Sequence, residues 1–469
     1  MEENDSDVSV EQIKVVQTDV DAKDGQNKCP KCGATDISLN ASNGTLRCNF
    51  CRHEFQPEKV EGLETDISKL EGTVLGSGAQ DIIADTNDIL TFKCSSCSAE
   101  VVIDTNEATQ ARCHWCRNTL SVNQQIPNGA VPDIVLPFKI KKEEAKAAIE
   151  KFVGRRKFYA HPDFKKEFSA SNVMGVYFPY MIVDVNGHAN LSGQGEHLVR
   201  KYTEGSEKDK VTYYDADLYN VERDFDVVVK GLIIEANSDK LDKKSKNKTN
   251  NVINAIMPFD TENSVKWNAN YLKGFTSEKR DTNVQQLQGI VKTQVQDIAR
   301  IKANSTLKKY DRGVAWSQEE LEVKGEQWSA AYLPVWLYSY QQKDNKLLHY
   351  VAVNARTKET MGSVPIHYPK LFLLSAIVEV IGIILWLLTS SFSVNDEDGN
   401  NISLLFLTLG FVYYYIIYAK YRNKSARHNH ESETDTTINN MVEEDVFITK
   451  KERLRNKTMD GANNLKVNG

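Results

Sequence analysis

The chain has 469 residues, 26 % of them charged, and a formal net charge of −6. That length points to two to four domains, and the mild acidity excludes a protein that coats nucleic acid through a global basic excess. There are eight cysteines, and all eight fall into one pattern used twice.

Residues 1–27 open with the acidic, polar stretch MEENDSDVSVEQ. Nothing there has the charged-then-apolar start of a cleavable signal peptide, so disorder is expected. In residues 28–55, Cys29-x2-Cys32 is followed after fifteen residues by Cys48-x2-Cys51. Residues 91–122 repeat the spacing with Cys94-x2-Cys97 and Cys113-x2-Cys116. A tetrahedral zinc ion takes four thiolates at about 2.3 Å, two from each Cys-x2-Cys turn at the tip of a hairpin. Asn43-Gly44 is a hairpin turn signal in the first copy, and Val101 to Ile103 reads as a strand in the second. Lys28 and Lys93, Arg47 and Arg112, and Arg52 and Arg117 recur in register, an internal duplication with a period of 65 residues.

Two structural Zn2+ ions are therefore expected, with Cys29, Cys32, Cys48, Cys51, Cys94, Cys97, Cys113 and Cys116 as ligands. A shell complete in cysteine has no open position for water or substrate, so no catalysis is expected there. His53 and His114 lie beside the ligands as alternative donors, with an ordinary packed or solvated role favoured. The four arginines either offset the −2 charge of each tetrathiolate centre or contact phosphate. An even cysteine count also permits disulfides, but a long chain with no secretion signal favours metal in a reducing compartment. Residues 56–90, with Gly72, Gly76, Ser77 and Gly78, read as a flexible linker holding a short helix.

Residues 131–366 have the alternation of an α+β domain. Strands are expected over 132–140, 173–186 and 211–235, and helices over 142–154 and 281–303. The second helix carries Val284, Leu287, Val291, Val295 and Ile298 on one stripe. Gly175-Val-Tyr-Phe-Pro-Tyr and Ala330-Ala-Tyr-Leu-Pro-Val-Trp look alike and suggest a second, weaker duplication. The region has no nucleophile elbow, phosphate loop, dinucleotide fingerprint or His-Glu-x-x-His, so no enzyme is expected. His188 and His197 flank Glu196 without a nucleophile partner. Arg155-Arg156-Lys157 with Lys165-Lys166 is a basic run that faces anionic lipid, nucleic acid or solvent.

Residues 371–392 and 402–420 are two apolar runs, each long enough at about 1.5 Å per residue to approach the ~30 Å hydrocarbon core. They predict a two-helix transmembrane hairpin. Arg356, Lys358 and Lys370 precede it and Lys420, Arg422, Lys424 and Arg427 follow it, whereas the turn between holds only Asp396, Glu397 and Asp398. The positive-inside rule then puts both termini in the cytosol. Tyr413, Tyr414, Tyr415, Tyr418 and Tyr421 suit the interface, and Glu379 is an intramembrane acid expected to be protonated and bonded to the other helix, near Tyr413 or Tyr414. The polar tail, 423–469, reads as disordered.

Several segments carry a resemblance. They are Ala111-Arg-Cys-His-Trp-Cys-Arg-Asn-Thr-Leu-Ser-Val-Asn, Ile126-Pro-Asn-Gly-Ala-Val-Pro-Asp, Leu136-Pro-Phe, Gly175-Val-Tyr-Phe-Pro-Tyr, Met257-Pro-Phe-Asp and Tyr271-Leu-Lys-Gly-Phe. The chain resembles bacterial membrane proteins with TFIIB-type zinc ribbons, whose members are sometimes labelled helicase-like or replication proteins. The likeness runs from the first ribbon to the hairpin. It implies the eight cysteines as zinc ligands, a multi-pass location in the bacterial cell membrane, and a protein partner such as a flotillin-like SPFH-domain protein in envelope stress. It implies no catalytic residue. The expected function is a cytosol-facing scaffold or adaptor at the lipid bilayer. The rival expectation is a membrane-tethered nucleic-acid-binding regulator, with Phe50 and Trp115 at matching knuckle positions beside the arginines.

Overall fold

A computed structural model of the chain describes residues 13–16, 29–34, 37–40, 45–58, 65–82, 89–93, 100–104, 111–112, 119–120, 132–205, 211–236, 256–267, 271, 275–277, 280, 282–342, 348–392, 401–421 and 430–455. Its first strands are β1 (Ile13–Val16), β2 (Ile37–Asn40), β3 (Thr45–Cys48), β4 (Glu54–Phe55) and β5 (Gly72–Gly76). Next come β6 (Ile89–Lys93), β7 (Glu100–Asp104), β8 (Ala111–Arg112), β9 (Thr119–Leu120) and β10 (Ile134–Val135). Then follow β11 (Met174–Glu204), β12 (Val211–Glu235), β13 (Val265–Lys266), β14 (Thr276–Ser277) and β15 (Val314–Gln341). The last are β16 (Leu348–Asn354), β17 (Thr360–Gly362) and β18 (Asp435–Arg455). The α-helices among the described residues are α1 (Lys142–Gly154), α2 (Pro162–Glu167), α3 (Val284–Asn304), α4 (Tyr368–Phe392), α5 (Leu409–Tyr421) and the short α6 (His430–Glu433). The architecture is mixed α/β, dominated by one large sheet of order β1-β5-β15-β11-β12-β18.

The length of its central strands sets this sheet apart. β11 has 31 residues, β15 has 28 and β12 has 25, against a usual length of about 5–6. A straight strand of that size would reach about 100 Å. β11 is not straight: its register slips at Val183/Val185 and Leu198/Arg200 against β12, and at Asn186/Gly187 and Ser192/Gly193 against β15. Such bulges bend a ribbon and deepen its twist. α3 covers part of the sheet with the stripe expected for it. Val284, Leu287, Val291, Val295 and Ile298 are buried with Met181, Val183 and Val185 of β11 and Phe225, Val227 and Val229 of β12, at about 1.5–3 kcal/mol for each large apolar side chain. α1 buries Ala145, Ile149 and Val153 in a second cluster with Tyr177, Tyr332 and Trp336.

The two look-alike segments pair with each other. Tyr177 lies opposite Pro334, Phe178 opposite Leu333, and Pro179 opposite Tyr332. The Tyr-x-Pro motifs are thus related by a local two-fold centred on Phe178 and Leu333, and the Tyr177 and Tyr332 rings stack at 6.0 Å.

Three segments outside 131–366 join the sheet, contrary to expectation. The glycine-rich linker forms β5, which lies parallel to β15, and β1 of the N-terminal segment pairs parallel to β5. Glycine on each partner allows the close approach: a Cβ on Gly325 of β15 would stand 2.2 Å from the Leu70 carbonyl oxygen, and one on Gly76 of β5 would stand 2.5 Å from the Asp133 carboxylate. Buried Asp133 locks the join, accepting the Gly78 N–H at 2.6 Å and the Ala330 N–H at 2.7 Å. The strand expected over 132–140 is correspondingly short, because Asp133 serves that join and only Ile134 and Val135 ladder.

The tail expected to be disordered contributes β18, antiparallel to β12 from Lys230↔Asp435 to Tyr213↔Arg455. An edge strand in water needs no apolar face, and residues 442–450 are all exposed, so its polar composition hid it. Beside the ladder, Ile438 and Met441 pack against the α3 cluster and Asn440 donates to Asp226 at 3.0 Å, and one buried arginine anchors the exposed part. Arg223, 0 % exposed, donates to Asp445 at 2.8 Å and to Thr306 at 2.7 Å, with Glu443 at 3.7 Å.

Of the apolar runs, one helix, Tyr368–Thr389, is long and apolar enough to cross a bilayer. The second expected span is not a single α-helix: Asn401–Thr408 is a 3-10 helix and α5 follows it.

Removing the Asp445 carboxylate leaves the buried Arg223 guanidinium short of its nearest anion, a loss of about 3 kcal/mol. Asp445→Ala should therefore raise hydrogen exchange of the β18 amides about a hundredfold. Burial raises the Asp445 carboxyl, but Arg223, the Tyr310 hydroxyl and Lys309 together lower it below the usual carboxylate range. Its stabilisation is thus complete above about pH 3.9, the unfolded value, and is lost as pH falls through the lower folded value. Acid release of β18 should show this step in the native chain and lack it in Asp445→Asn.

Candidate metal centre

The Cys29, Cys32, Cys48 and Cys51 sulfurs all lie within 4.8 Å of one another, close enough to hold one metal ion. Cys29 Sγ is 3.5 Å from Cys51 Sγ and Cys32 Sγ is 3.6 Å from Cys48 Sγ. A disulfide needs about 2.05 Å, whereas sulfurs about 2.3 Å from a shared tetrahedral ion stand about 3.8 Å apart. The cage fits an ion, and a set of four soft donors suits Zn2+.

Two knuckles of the same construction build it. The Cys29 N–H donates to the Ala34 carbonyl at 2.9 Å and the Gly33 N–H to the Cys29 carbonyl at 2.8 Å. In the second knuckle the Cys48 N–H donates to the His53 carbonyl and the Arg52 N–H to the Cys48 carbonyl, both at 2.9 Å. Each turn closes through a left-handed residue, Gly33 at φ 72° and Arg52 at φ 58°. His53 contributes its backbone to the knuckle while its ring stacks on Phe55, and it does not enter the sulfur cluster.

Burial raises the Cys29 thiol, but the backbone N–H groups of Lys31 and Cys32 and the adjacent thiols lower it further, to about 7. The Ala34 backbone lowers the Cys32 thiol, while burial and its three cysteine neighbours push it up to about 12. The Cys32 thiol thus resists deprotonation until a cation joins the cage.

The ribbon is fastened to the sheet domain. Ile37 and Leu46 are buried in the same cluster as Val135, Tyr332 and Trp336, and the Lys266 N–H donates to the Glu58 carbonyl at 2.8 Å. A unit this small cannot build a core of its own.

Cys94, Cys97, Cys113 and Cys116 lie outside the described residues, but the strands around them are described. Arg47 pairs with Glu54 across the second knuckle of the first copy, and Leu46 with Phe55. Arg112 pairs with Thr119 and Ala111 with Leu120. These are the same registers displaced by the 65-residue period, so the duplication extends to strand pairing. Lys93 pairs with Glu100 across the Cys94 to Cys97 segment in the same manner. His114 and Trp115 also fall outside the described residues.

The other singled-out residues are placed elsewhere. Half-buried Glu379 accepts the Gly410 N–H at 2.7 Å; a Cβ at Gly410 would stand 2.6 Å from the Ser375 carbonyl oxygen, so glycine allows α4 and α5 to touch. The expected tyrosine partner is engaged differently, since the Tyr413 hydroxyl bonds to that of Tyr159. His188 sits between Asp226 at 3.0 Å and Asp224 at 3.2 Å, and these carboxylates, Asp226 foremost, raise its pKa. His197 meets the Lys309 carbonyl at 2.8 Å and Asp311 at 3.5 Å. Neither histidine approaches the sulfur cluster. The sequence reading missed Arg52 as a backbone element of the knuckle, because positive φ outside glycine leaves no signal in composition.

Cys48→Ser is expected to lose one equivalent of bound metal by elemental analysis and to open residues 29–55 to protease, since structural thiolate sites supply the folding energy of their ribbons. Retention of the full metal content would refute the cage. No family model, no curated protein and no solved structure matches the chain.

Proposed function

We propose that the chain is a membrane-anchored, non-enzymatic adaptor: two structural zinc ribbons, carried by the large sheet on the cytosolic face of a bacterial membrane, recruit a partner protein there. One observation carries this reading. β17 precedes the apolar segment, β18 follows it, and both belong to one sheet. A segment that enters a bilayer between them must return on the same side, which favours two crossings.

The side chains support lipid as the surrounding medium. Phe372 is 70 % exposed, Leu373 61 %, Phe411 76 % and Ile416 56 %, more contiguous apolar surface than water tolerates. A core helix would be covered, yet only 17 % of the most apolar stretch of α4 is buried. The 3-10 and α residues from Asn401 to Tyr421 together rise about 35 Å, comparable with the ~30 Å core. Lys370 and Lys420 flank the segments, and the connecting stretch holds only acids, so both termini are assigned to the cytosol. The reducing side suits thiolate ligands, and the repeated strand register supports Cys94, Cys97, Cys113 and Cys116 as the second zinc site.

Phe50, 81 % exposed at the tip of a knuckle, is the docking point assigned to the first ribbon, with Trp115 at the matching position of the second. The resemblance to zinc-ribbon membrane proteins suggests an SPFH-domain protein as partner. A second reading keeps its own observation: Arg47 and Arg52 flank Phe50, an arrangement that also fits stacking on a nucleic-acid base.

In-cell crosslinking should recover a reproducible protein partner from the native chain. Phe50→Ala should keep its metal and lose most of that partner. Recovery of nucleic acid instead, with affinity falling steeply as salt rises, would replace the adaptor reading by the second one.

A further inference from the structure

The basic run of the sequence has no part in the metal cage, and the fold brings it to the root of the apolar helix. Residues 155–166 hold five cations, Arg155, Arg156, Lys157, Lys165 and Lys166, against one carboxylate, Asp163. Arg156 is committed to the frame: its Nε donates to the Lys420 carbonyl at 3.0 Å, Nη1 donates to the Phe152 carbonyl at 3.1 Å, and the guanidinium covers the Phe152 ring. Lys165 meets Lys370 of α4 at Phe158. Lys370, in the first turn of α4, donates to the Phe158 carbonyl at 3.1 Å and stands 3.6 Å from its ring centroid. Lys165 reaches the same carbonyl at 3.5 Å. Two ammonium groups thus converge on one oxygen, with Lys157 beside them. Burial and then the charges of Lys370 and Lys157 lower the Lys165 pKa, the mark of cations crowded together. Phe158 itself is 59 % exposed, and the exposed apolar residues Phe372 and Leu373 begin next to Lys370 on α4.

We propose that Lys157, Lys165 and Lys370, around exposed Phe158, seat the phosphate headgroup of an anionic lipid in the leaflet that α4 enters. The placement favours lipid over a soluble anion. The cation cluster is continuous with the apolar face of α4, and an aromatic side chain between the ammonium groups suits the headgroup level. Acidic lipid attracts lysines at this depth, and the phosphate group relieves their mutual repulsion. This inference rests on the membrane reading above.

The test uses the full chain, purified in mild detergent and also reconstituted into vesicles of phosphatidylcholine alone or with phosphatidylglycerol. Native mass spectrometry should show retained phosphatidylglycerol on the native chain in preference to phosphatidylcholine. Lys157→Gln/Lys165→Gln should weaken that retention about tenfold or more, since each lysine near the surface contributes a severalfold factor. Lys142→Gln/Lys292→Gln, the same change of charge elsewhere, should leave it unchanged. Near-ultraviolet circular dichroism checks that both variants fold. Equal retention of the two lipids, or equal loss in both variants, overturns the seat while leaving the membrane reading intact. Displacement of the lipid by millimolar inorganic phosphate overturns it in favour of a soluble anion. Failure to enter vesicles of either composition overturns the membrane reading and the seat together.

Discussion

The fold depends on the pairing of β11 with β15 along one edge and β12 along the other. Those two ladders run from Met174 and Tyr180, respectively, to the far end of the sheet, and every other described strand of the large sheet attaches to this trio directly or through one neighbour. Backbone hydrogen bonds are modest singly, about 1 kcal/mol net each, but a ladder of this length makes the attachment of a new strand cheap in entropy. The order is already present on the trio. β5 adds to β15 and β18 adds to β12 for that reason, although neither has the composition of an interior strand.

The same ladders constrain the apolar segment. Its entry follows β17 and its exit leads to β18, and the two strands share one sheet. The ends of α4 and α5 are also bound to the domain directly. The Tyr159 N–H donates to the Tyr421 hydroxyl at 3.0 Å, the Val364 N–H to the Tyr421 carbonyl at 3.3 Å, and the His367 N–H to the Tyr159 carbonyl at 2.8 Å. The helices therefore rise from a fixed base. The contact of Glu379 with Gly410 acts between them: the carboxylate accepts the Gly410 N–H where the glycine lets the two helices meet.

How much of this was legible in the sequence depends on what sort of signal each element carries. The cysteine cage was readable because thiolate coordination demands a spacing that chance rarely supplies. α1 and α3 were readable from their 3.6-residue stripes, as were β12 and the first part of β11, expected over 173–186, from their apolar alternation; the continuation of β11 to Glu204 was not expected. β18 was not, because residues 442–450 are all exposed and its partners, β12 and Arg223 among them, lie far off in the sequence, Arg223 being 222 residues from Asp445. β5 was hidden for the opposite reason. Its glycines read as breaks in a chain, whereas Gly76 makes room for the Asp133 carboxylate, and Asp133, which secures the join, looks like any turn aspartate. The likeness of the two Tyr-x-Pro segments was legible, but not that they lie face to face, since pairing across 155 residues leaves no local trace.

The first metal cage and the base of the apolar helices share one buried cluster. Ile37 and Leu46 of the ribbon belong to it, and so do Leu371 of α4 and Tyr421 of α5. A ribbon on a free tether could turn independently of the rest. This one is packed through Ile37 and Leu46 into the cluster that also holds Leu371 and Tyr421, so the sulfur cage and the base of the apolar helices are held by one set of packed side chains. Phe50, 81 % exposed, is presented outward from that anchored ribbon.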